Sequence, residues 1–139
     1  MAQIRITELD HIVLNVSDIN RSLEFYIDVL GLGGERVQQF KEGRVGFPSV
    51  RINDHTIIDL FPLKGADLAP PKSGEKVQGN LNHFCLVTGQ EDFSGIVGYL
   101  KDRGIAIRQG PISRWGAQGR ATSVYFLDPD GNEIEIRCY

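Results

Sequence analysis

Two histidines and two carboxylates recur at matching places in this sequence. His11 is the third residue of "LDHIVLNV", and His83 is the third residue of "LNHFCLVT". Asp59 lies in the apolar run "IIDLF", and Glu135 lies in "EIEIR". The histidines are 72 positions apart and the carboxylates 76. Imidazole and carboxylate groups together are typical ligands of divalent transition metals, so the recurrence indicates metal chemistry.

Strand alternation predicts that these four side chains share equivalent faces. All four segments alternate in the manner of β-strands, and each of the four residues lies opposite the apolar face that a helix would cover. We therefore predict that His11, His83 and Glu135 bind a divalent metal ion and leave positions for water or substrate. Asp59 is one methylene shorter than glutamate and is either a further ligand or a general base. Glu133 is an alternative base.

Each residue taken alone has a simpler interpretation. A single histidine on a strand is more often a surface residue than a ligand, and a glutamate in "EIEIR" often faces solvent. Asp59 would pair equally well with an arginine. The joint recurrence in two repeats favours the metal site, with Glu135 and Asp59 as the candidate catalytic carboxylates. The third histidine, His55, lies in the turn "NDHT" and is predicted to be exposed.

The elements around these residues form a duplicated β-α-β-β-β pattern. In the first repeat a strand is followed by cap residues in "SDIN", by a helix that ends at Gly31, and by extended segments near 44–52 and 56–61. The second repeat has a helix that ends at Gly104 and then the strands "IAIRQ", "TSVYFLD" and "NEIEIR", with the turn "DPDG" before the last strand. Neither repeat alone would bury its sheet, so we predict one α+β domain over residues 5–138. It comprises a module 5–64, a linker 65–79 and a module 80–138.

Composition limits the possible functions. The 139 residues carry a net charge of −3, which gives no reason to expect nucleic-acid or membrane binding. The N-terminal residues show no hydrophobic signal core, and a cytoplasmic location is expected by default. Two cysteines without CxxC spacing are predicted to be reduced thiols, with Cys85 buried in a strand.

A basic segment, "RWGAQGR", precedes one of the second-repeat strands. Arg114, Trp115 and Arg120 in this segment are candidates for a flap that grips an anionic or aromatic substrate. The alternative is an exposed basic loop. Tyr125 is a candidate cleft residue, and its alternative is a place in the core.

The motifs "LDHIVLNVSDINRSLEFYIDVLGL", "NHFCLVT" and "YFLDPDGNEIEIR" resemble the vicinal oxygen chelate superfamily, which includes glyoxalase I, fosfomycin-resistance enzymes, extradiol dioxygenases and bleomycin-resistance proteins. Within it the chain most resembles the glyoxalase-domain-containing, virulence-protein-like group. The resemblance implies paired βαβββ modules in a half-open mixed-sheet barrel around a metal site, and a homodimer. His11, His83 and Glu135 fall on the family's ligand positions. Asp59 stands where glyoxalase I has a glutamate, which argues against glyoxalase I itself.

The resemblance also implies a class of activity. We expect an enzyme that depends on Fe, Mn, Ni, Zn or Co and acts on a small molecule that chelates the metal through neighbouring oxygens. The reaction would be that of a lyase, isomerase, transferase or dioxygenase. The alternatives are a metal-free drug- or metabolite-binding protein of the bleomycin-resistance type and a catalytically silent relative.

Overall fold

A computed structural model describes residues 8–64, 74–77 and 81–139 of the chain. It divides into two compact units, Met1–Ala69 and Pro70–Tyr139. Each unit contains one four-stranded mixed sheet. The predicted linker, 65–79, lies largely outside the described residues, as does the start of the first predicted module.

In the first unit the strands are β1 (His11–Val16), β2 (Gly33–Glu35), β3 (Ser49–Arg51) and β4 (Ile57–Pro62). Helix α1 (Ile19–Leu23) continues as a π-helix over Glu24–Val29, and a short α2 (Val37–Lys41) follows β2. The sheet order is β1-β4-β3-β2, and β1 pairs with β4 in parallel. The Asp18 carboxylate caps the first helix by accepting hydrogen bonds from two backbone N–H groups of its first turn.

The second unit repeats this order. Its strands are β5 (Phe84–Val87), β6 (Gln109–Gly116), β7 (Gly119–Leu127) and β8 (Glu133–Cys138), and its helices are α3 (Gln90–Ser94) and α4 (Ile96–Asp102). The sheet order is β5-β8-β7-β6, with β5 and β8 parallel. The predicted paired βαβββ pattern is therefore confirmed.

The cores follow the predicted alternation. Ile58 and Leu60 of β4 are fully buried, and so is Ile134 of β8. Asp59 and Glu135 lie between such residues and so point to the opposite face of their sheets. We call this face, in each unit, the carboxylate face.

The tight turn before β8 fixes where the last strand begins. Asp128 Oδ1 accepts hydrogen bonds from the backbone N–H groups of Asp130 and Asn132, at 2.9 and 2.8 Å. The side chain of Asn132 donates to the other oxygen of Asp128 at 2.9 Å. This network accounts for the turn that "DPDG" predicted, because an Asp side chain readily accepts hydrogen bonds from its own turn.

Four details differ from the sequence prediction. The extended segment 44–52 contains only the three-residue β3, and the second-repeat helix is broken into α3 and α4 at Gly95. The strand predicted at "IAIRQ" begins only at Gln109. The basic segment "RWGAQGR" is the tip of the β6–β7 hairpin. Its first glycine, Gly116, ends β6, and its second, Gly119, begins β7.

A fifth difference concerns Cys85, for which the sequence predicts a buried side chain. It lies in β5 as expected but is exposed, whereas Cys138 is buried. Alternation places Cys85 on the carboxylate face, opposite Glu135 on β8, and not against the helix.

Among the described residues, no helix has the length and hydrophobicity that a bilayer crossing requires.

Candidate metal centre

The second sheet holds an imidazole against a buried carboxylate. Glu135 is only 4% exposed, and its Oε2 lies 3.2 Å from Nε2 of His83, the residue before β5. Its other oxygen, Oε1, accepts a 2.5 Å hydrogen bond from the hydroxyl of Ser123 on β7. The serine fixes one carboxylate oxygen, so the other is the one turned toward the imidazole.

The neighbouring Asn82 decides which nitrogen of His83 carries the proton. His83 Nδ1 lies 2.7 Å from Asn82 Oδ1, and an amide oxygen can only accept. Nδ1 therefore donates, and in the neutral ring Nε2 presents a lone pair toward Glu135 Oε2. Two acceptor atoms 3.2 Å apart repel unless a proton or a cation lies between them. Ligands about 2.0–2.2 Å from one ion lie roughly 3 Å apart, so this pair fits a divalent metal ion.

The first sheet holds the equivalent pair at a longer distance. Asp59 Oδ2 lies 4.0 Å from His11 Nε2, which is beyond hydrogen-bond reach. Asp59 Oδ1 accepts a 2.6 Å hydrogen bond from the Ser49 hydroxyl. His11 Nδ1 lies 2.6 Å from Asp10 Oδ1, so Nδ1 is again the donor. The hydrogen bond with Asp10 raises the pKa of His11 above its usual value, partly offset by desolvation and reinforced by the charge of Asp59.

The structure brings the four predicted groups together as two pairs, His11 with Asp59 and His83 with Glu135. Across residues 8–64, 74–77 and 81–139 it contains no group of three or more His, Cys, Asp or Glu side chains arranged to hold a metal ion. The ligand set of His11, His83 and Glu135 stays a prediction.

The predicted substrate residues are divided between the two faces of the second sheet. Tyr125 lies opposite Glu135 in the β7–β8 register, so it belongs to the carboxylate face. Arg114 lies on the same face by register, while Trp115 and Arg120 are paired with each other on the opposite face. Trp115 is 77% exposed. Adjacent residues of a strand must point to opposite sides, so Arg114 and Trp115 cannot contact one ligand from the same face.

The electrostatic environment of Tyr125 agrees with this placement. Its ring lies edge-on to the His83 imidazole, with centroids 5.7 Å apart. Burial raises the pKa of Tyr125, and the nearby charge of Glu135 raises it further, while Arg114 opposes the shift. Partial desolvation, followed by the charge of Glu135, also raises the pKa of the Cys85 thiol to about 11. Both groups therefore stay protonated at neutral pH.

Two other candidates are engaged elsewhere. Glu133, the alternative base, receives an N–H bond of 2.8 Å from Arg108 Nε and lies 3.4 Å from Lys76 Nζ. His55 is exposed in its turn, as predicted, and lies 3.4 Å from a Glu8 oxygen.

Sequence reasoning missed the residues that orient the pairs. Ser49 and Ser123 hold the carboxylates, and Asp10 and Asn82 hold the imidazoles. The sequence does contain a signal for Asp10 and Asn82, because an acid or amide directly precedes the histidine in both "LDH" and "LNH". The serines gave no such signal, because their use depends on strand register.

Comparison with known proteins adds the family. The model of the Glyoxalase/Bleomycin resistance protein/Dioxygenase superfamily matches residues 8–136. The chain belongs to this superfamily. It is 34% identical to the virulence protein STM3117 of Salmonella typhimurium, over 99% of this chain and 88% of that protein. It is 29% identical to the metallothiol transferase FosB of Staphylococcus epidermidis, over 94% of this chain and 81% of that protein.

A solved structure supports the same assignment. The integron cassette protein VCH_CASS1 from the mobile metagenome of V. cholerae matches with a TM-score of 0.76 and 34% identity, over 99% of both chains. The predicted resemblance to the virulence-protein-like group of the superfamily is confirmed. The superfamily includes metalloenzymes such as FosB, and family membership alone does not define the reaction of this chain.

Proposed function

We propose that this chain is a divalent-metal-dependent enzyme that acts on a small oxygenated molecule, with His11, His83 and Glu135 as metal ligands. The observation that carries the proposal is the pair formed by His83 Nε2 and Glu135 Oε2, two acceptors 3.2 Å apart. Asn82 and Ser123 orient both atoms. Hydrogen-bonded partners of this kind typically orient metal-binding imidazoles and carboxylates.

A relative supports the metal requirement, since FosB is named a metallothiol transferase. A metal bound by two neutral imidazoles and one carboxylate keeps a net positive charge, so it would act as a Lewis acid toward neighbouring substrate oxygens. Side chains on the carboxylate faces are proposed to bind the substrate and to transfer its proton.

Arg114 and Tyr125 are proposed to bind the substrate. The Arg114 guanidinium belongs to the same face as Glu135 and would neutralise an anionic group of the substrate. The raised pKa keeps the Tyr125 phenol protonated, so it would donate a hydrogen bond to a substrate oxygen that gains negative charge. Trp115 and Arg120, on the other face, are left out of this site.

Asp59 is proposed as the general base and not as a ligand. The residue is only 7% exposed, and the Ser49 hydroxyl donates a hydrogen bond to one of its carboxylate oxygens. The 4.0 Å between its other oxygen and His11 Nε2 leaves that oxygen free to accept a proton from a substrate.

Metal analysis tests the proposal. We expect purified protein to retain a divalent metal near one ion per chain, and Glu135→Ala and His83→Ala to lose it. Glu133→Ala is the matched control, because Glu133 is in the same strand and on the same face but pairs with Lys76 and Arg108. Native protein that takes up no Mn²⁺, Fe²⁺, Zn²⁺, Ni²⁺ or Co²⁺ would favour the metal-free binding protein instead. Equal metal content in the two glutamate variants would show that Glu135 is not a ligand.

The assembly is a further part of the proposal. We propose a homodimer: among the described residues β1, β2, β5 and β6 are the outer strands of their sheets, and a second copy would cover such edges. Light scattering should report a particle of twice 15.5 kDa. A particle of one chain mass at micromolar concentration would contradict the dimer.

A further inference from the structure

A buried arginine joins the last strand to the β6–β7 hairpin. Arg137 of β8 is only 3% exposed. Its Nη2 donates to the carbonyl of Arg114 at 2.5 Å and to that of Gly119 at 3.5 Å, and its Nη1 donates to the carbonyl of Trp115 at 3.1 Å. The guanidinium thus bonds to both strands of the hairpin. Burying a cation is costly unless its hydrogen bonds are satisfied, so these carbonyls are a structural requirement of Arg137.

Gly116 has no room for a side chain because of this arrangement. A Cβ at Gly116 would lie 1.8 Å from Nη1 of Arg137 and 2.9 Å from the hydroxyl oxygen of Tyr139. The guanidinium carbon of Arg137 lies over the Tyr139 ring, 4.9 Å from the ring centroid. The Tyr139 hydroxyl oxygen accepts the Gln118 N–H at 3.0 Å. The hairpin tip is therefore held by two side chains, Arg137 and Tyr139.

The carbonyl that Arg137 contacts most closely belongs to Arg114 itself. The Arg114 side chain shares the carboxylate face with Tyr125, while Trp115 points to the other face. A shift of β6 by one residue in its register with β7 would exchange the faces of Arg114 and Trp115, because neighbouring residues of a strand alternate. The Arg137 guanidinium also lies 3.9 Å from Glu135 Oε1, so a single cation contacts both the hairpin backbone and the proposed metal ligand.

We propose that Arg137 is a positioning residue that holds the Arg114 side chain on the carboxylate face, where it would receive the anionic group of the substrate. The anion-binding role rests on the proposed function. The positioning role rests on hydrogen bonds and packing within the second unit.

The experiment uses full-length protein and needs no substrate. NMR of the native chain should show nuclear Overhauser contacts between the Arg114 side chain and the Tyr125 ring. In Arg137→Lys a single ammonium nitrogen replaces Nη1 and Nη2 and cannot occupy both of their positions, so these contacts should disappear. The Gln118 amide should exchange with solvent about tenfold faster, because loss of the guanidinium frees the Tyr139 ring, whose hydroxyl accepts the Gln118 hydrogen bond. Time-resolved fluorescence anisotropy of Trp115, the single tryptophan, should gain a fast component.

Two further variants keep the test decisive. Tyr139→Phe keeps the ring but loses the acceptor for Gln118, so faster exchange at the hairpin tip is expected in a folded protein. Gly116→Ala displaces the guanidinium without changing its charge and should reproduce the loss of the Arg114–Tyr125 contacts. Arg108→Lys is the matched control, since Arg108 pairs with Glu133 and is expected to leave the hairpin unchanged.

The outcomes separate this inference from the proposed function. Retained Arg114–Tyr125 contacts in both Arg137→Lys and Gly116→Ala would overturn the positioning role, whatever the metal content. Lost contacts with an unchanged control support it, even if native protein binds no metal. In that case the metal-dependent function fails and the positioning role stands.

Discussion

Both units place a serine, a carboxylate and a histidine together, but the distance from the carboxylate to the imidazole differs. In the first, Ser49 holds Asp59, whose free oxygen is 4.0 Å from His11 Nε2. In the second, Ser123 holds Glu135, whose free oxygen is 3.2 Å from His83 Nε2. The extra methylene of glutamate closes this gap. One added carbon changes a carboxylate that stands apart from an imidazole into one that directly contacts it.

The serines also reach their carboxylates differently. Ser49 lies directly opposite Asp59 in the β3–β4 register. Ser123 lies opposite Arg137 and reaches Glu135 diagonally, because Tyr125 takes the position opposite Glu135. The longer glutamate thus leaves the directly opposite position to a residue that can contact a substrate. Under the proposed function, the carboxylate of the second unit binds the metal and that of the first serves proton transfer.

The largest expected effect is on the carboxylates themselves. Glu135→Gln keeps the shape of the side chain and removes its charge, so Zn²⁺ affinity measured by calorimetry should fall by about 100-fold or more. Asp59→Asn should change the affinity by less than about fivefold, because its oxygen is not proposed to coordinate the metal. Equal losses in the two variants would make both carboxylates ligands and remove the distinction between them.

A smaller effect is expected at the serines. Ser123→Ala frees the Glu135 carboxylate to rotate, and Zn²⁺ affinity should fall about tenfold, while Ser49→Ala should leave it nearly unchanged. Both variants should lose about 1–3 kcal/mol of unfolding free energy, since each leaves a buried carboxylate oxygen without its donor. Urea unfolding of both variants provides this matched control. A loss of affinity in Ser49→Ala alone would reverse the assignment.

The residues before the histidines should matter less. Asn82→Ala removes the acceptor that fixes Nδ1 of His83, and Asp10→Ala does the same for His11. Zn²⁺ affinity should weaken by a factor of up to about 10 in each variant, the lower limit of the usual loss when a hydrogen-bond partner of a metal ligand is removed. The loss is small because both imidazoles are partly exposed and can form a hydrogen bond with water instead. If either substitution abolished binding, the aspartate or asparagine would itself be a ligand.

The smallest effect is expected at Cys85. In the first unit Val13 lies opposite Asp59, and in the second Cys85 lies opposite Glu135. Cys85→Val therefore copies the first unit, and Zn²⁺ affinity should remain within about twofold because the protonated thiol, with a pKa of about 11, is not proposed as a ligand. Iodoacetamide should modify native Cys85 slowly at pH 8, and mass spectrometry can follow the rate. A marked loss of affinity in this variant would make the thiol part of the site.

Much of this arrangement could be predicted from the sequence. The repeat of "LDH" and "LNH" located both imidazoles, and alternation in "IIDLF" and "EIEIR" placed both carboxylates on the correct faces. These signals are local, because a strand has a period of two residues. The roles of Ser123 and Arg137 could not be read in this way, because they depend on which residue lies opposite in a neighbouring strand.

The β6–β7 hairpin also shows that local sequence patterns do not reveal contacts between strands. "RWGAQGR" was grouped as one basic flap, although alternation alone separates Arg114 from Trp115 once the segment is a strand. Gly116 is small because Arg137 occupies the adjacent space. Such a cause lies 21 residues away in sequence and is invisible to any local pattern.

The pairing pattern of the strands has a consequence for folding. Among the described residues, every strand pair joins two strands of the same unit. Each sheet therefore closes only loops within its own half of the chain, which lowers the entropic cost of its formation. We expect each sheet to form in its own kinetic step, so that refolding followed by Trp115, in the second unit, differs in rate from refolding followed by backbone circular dichroism.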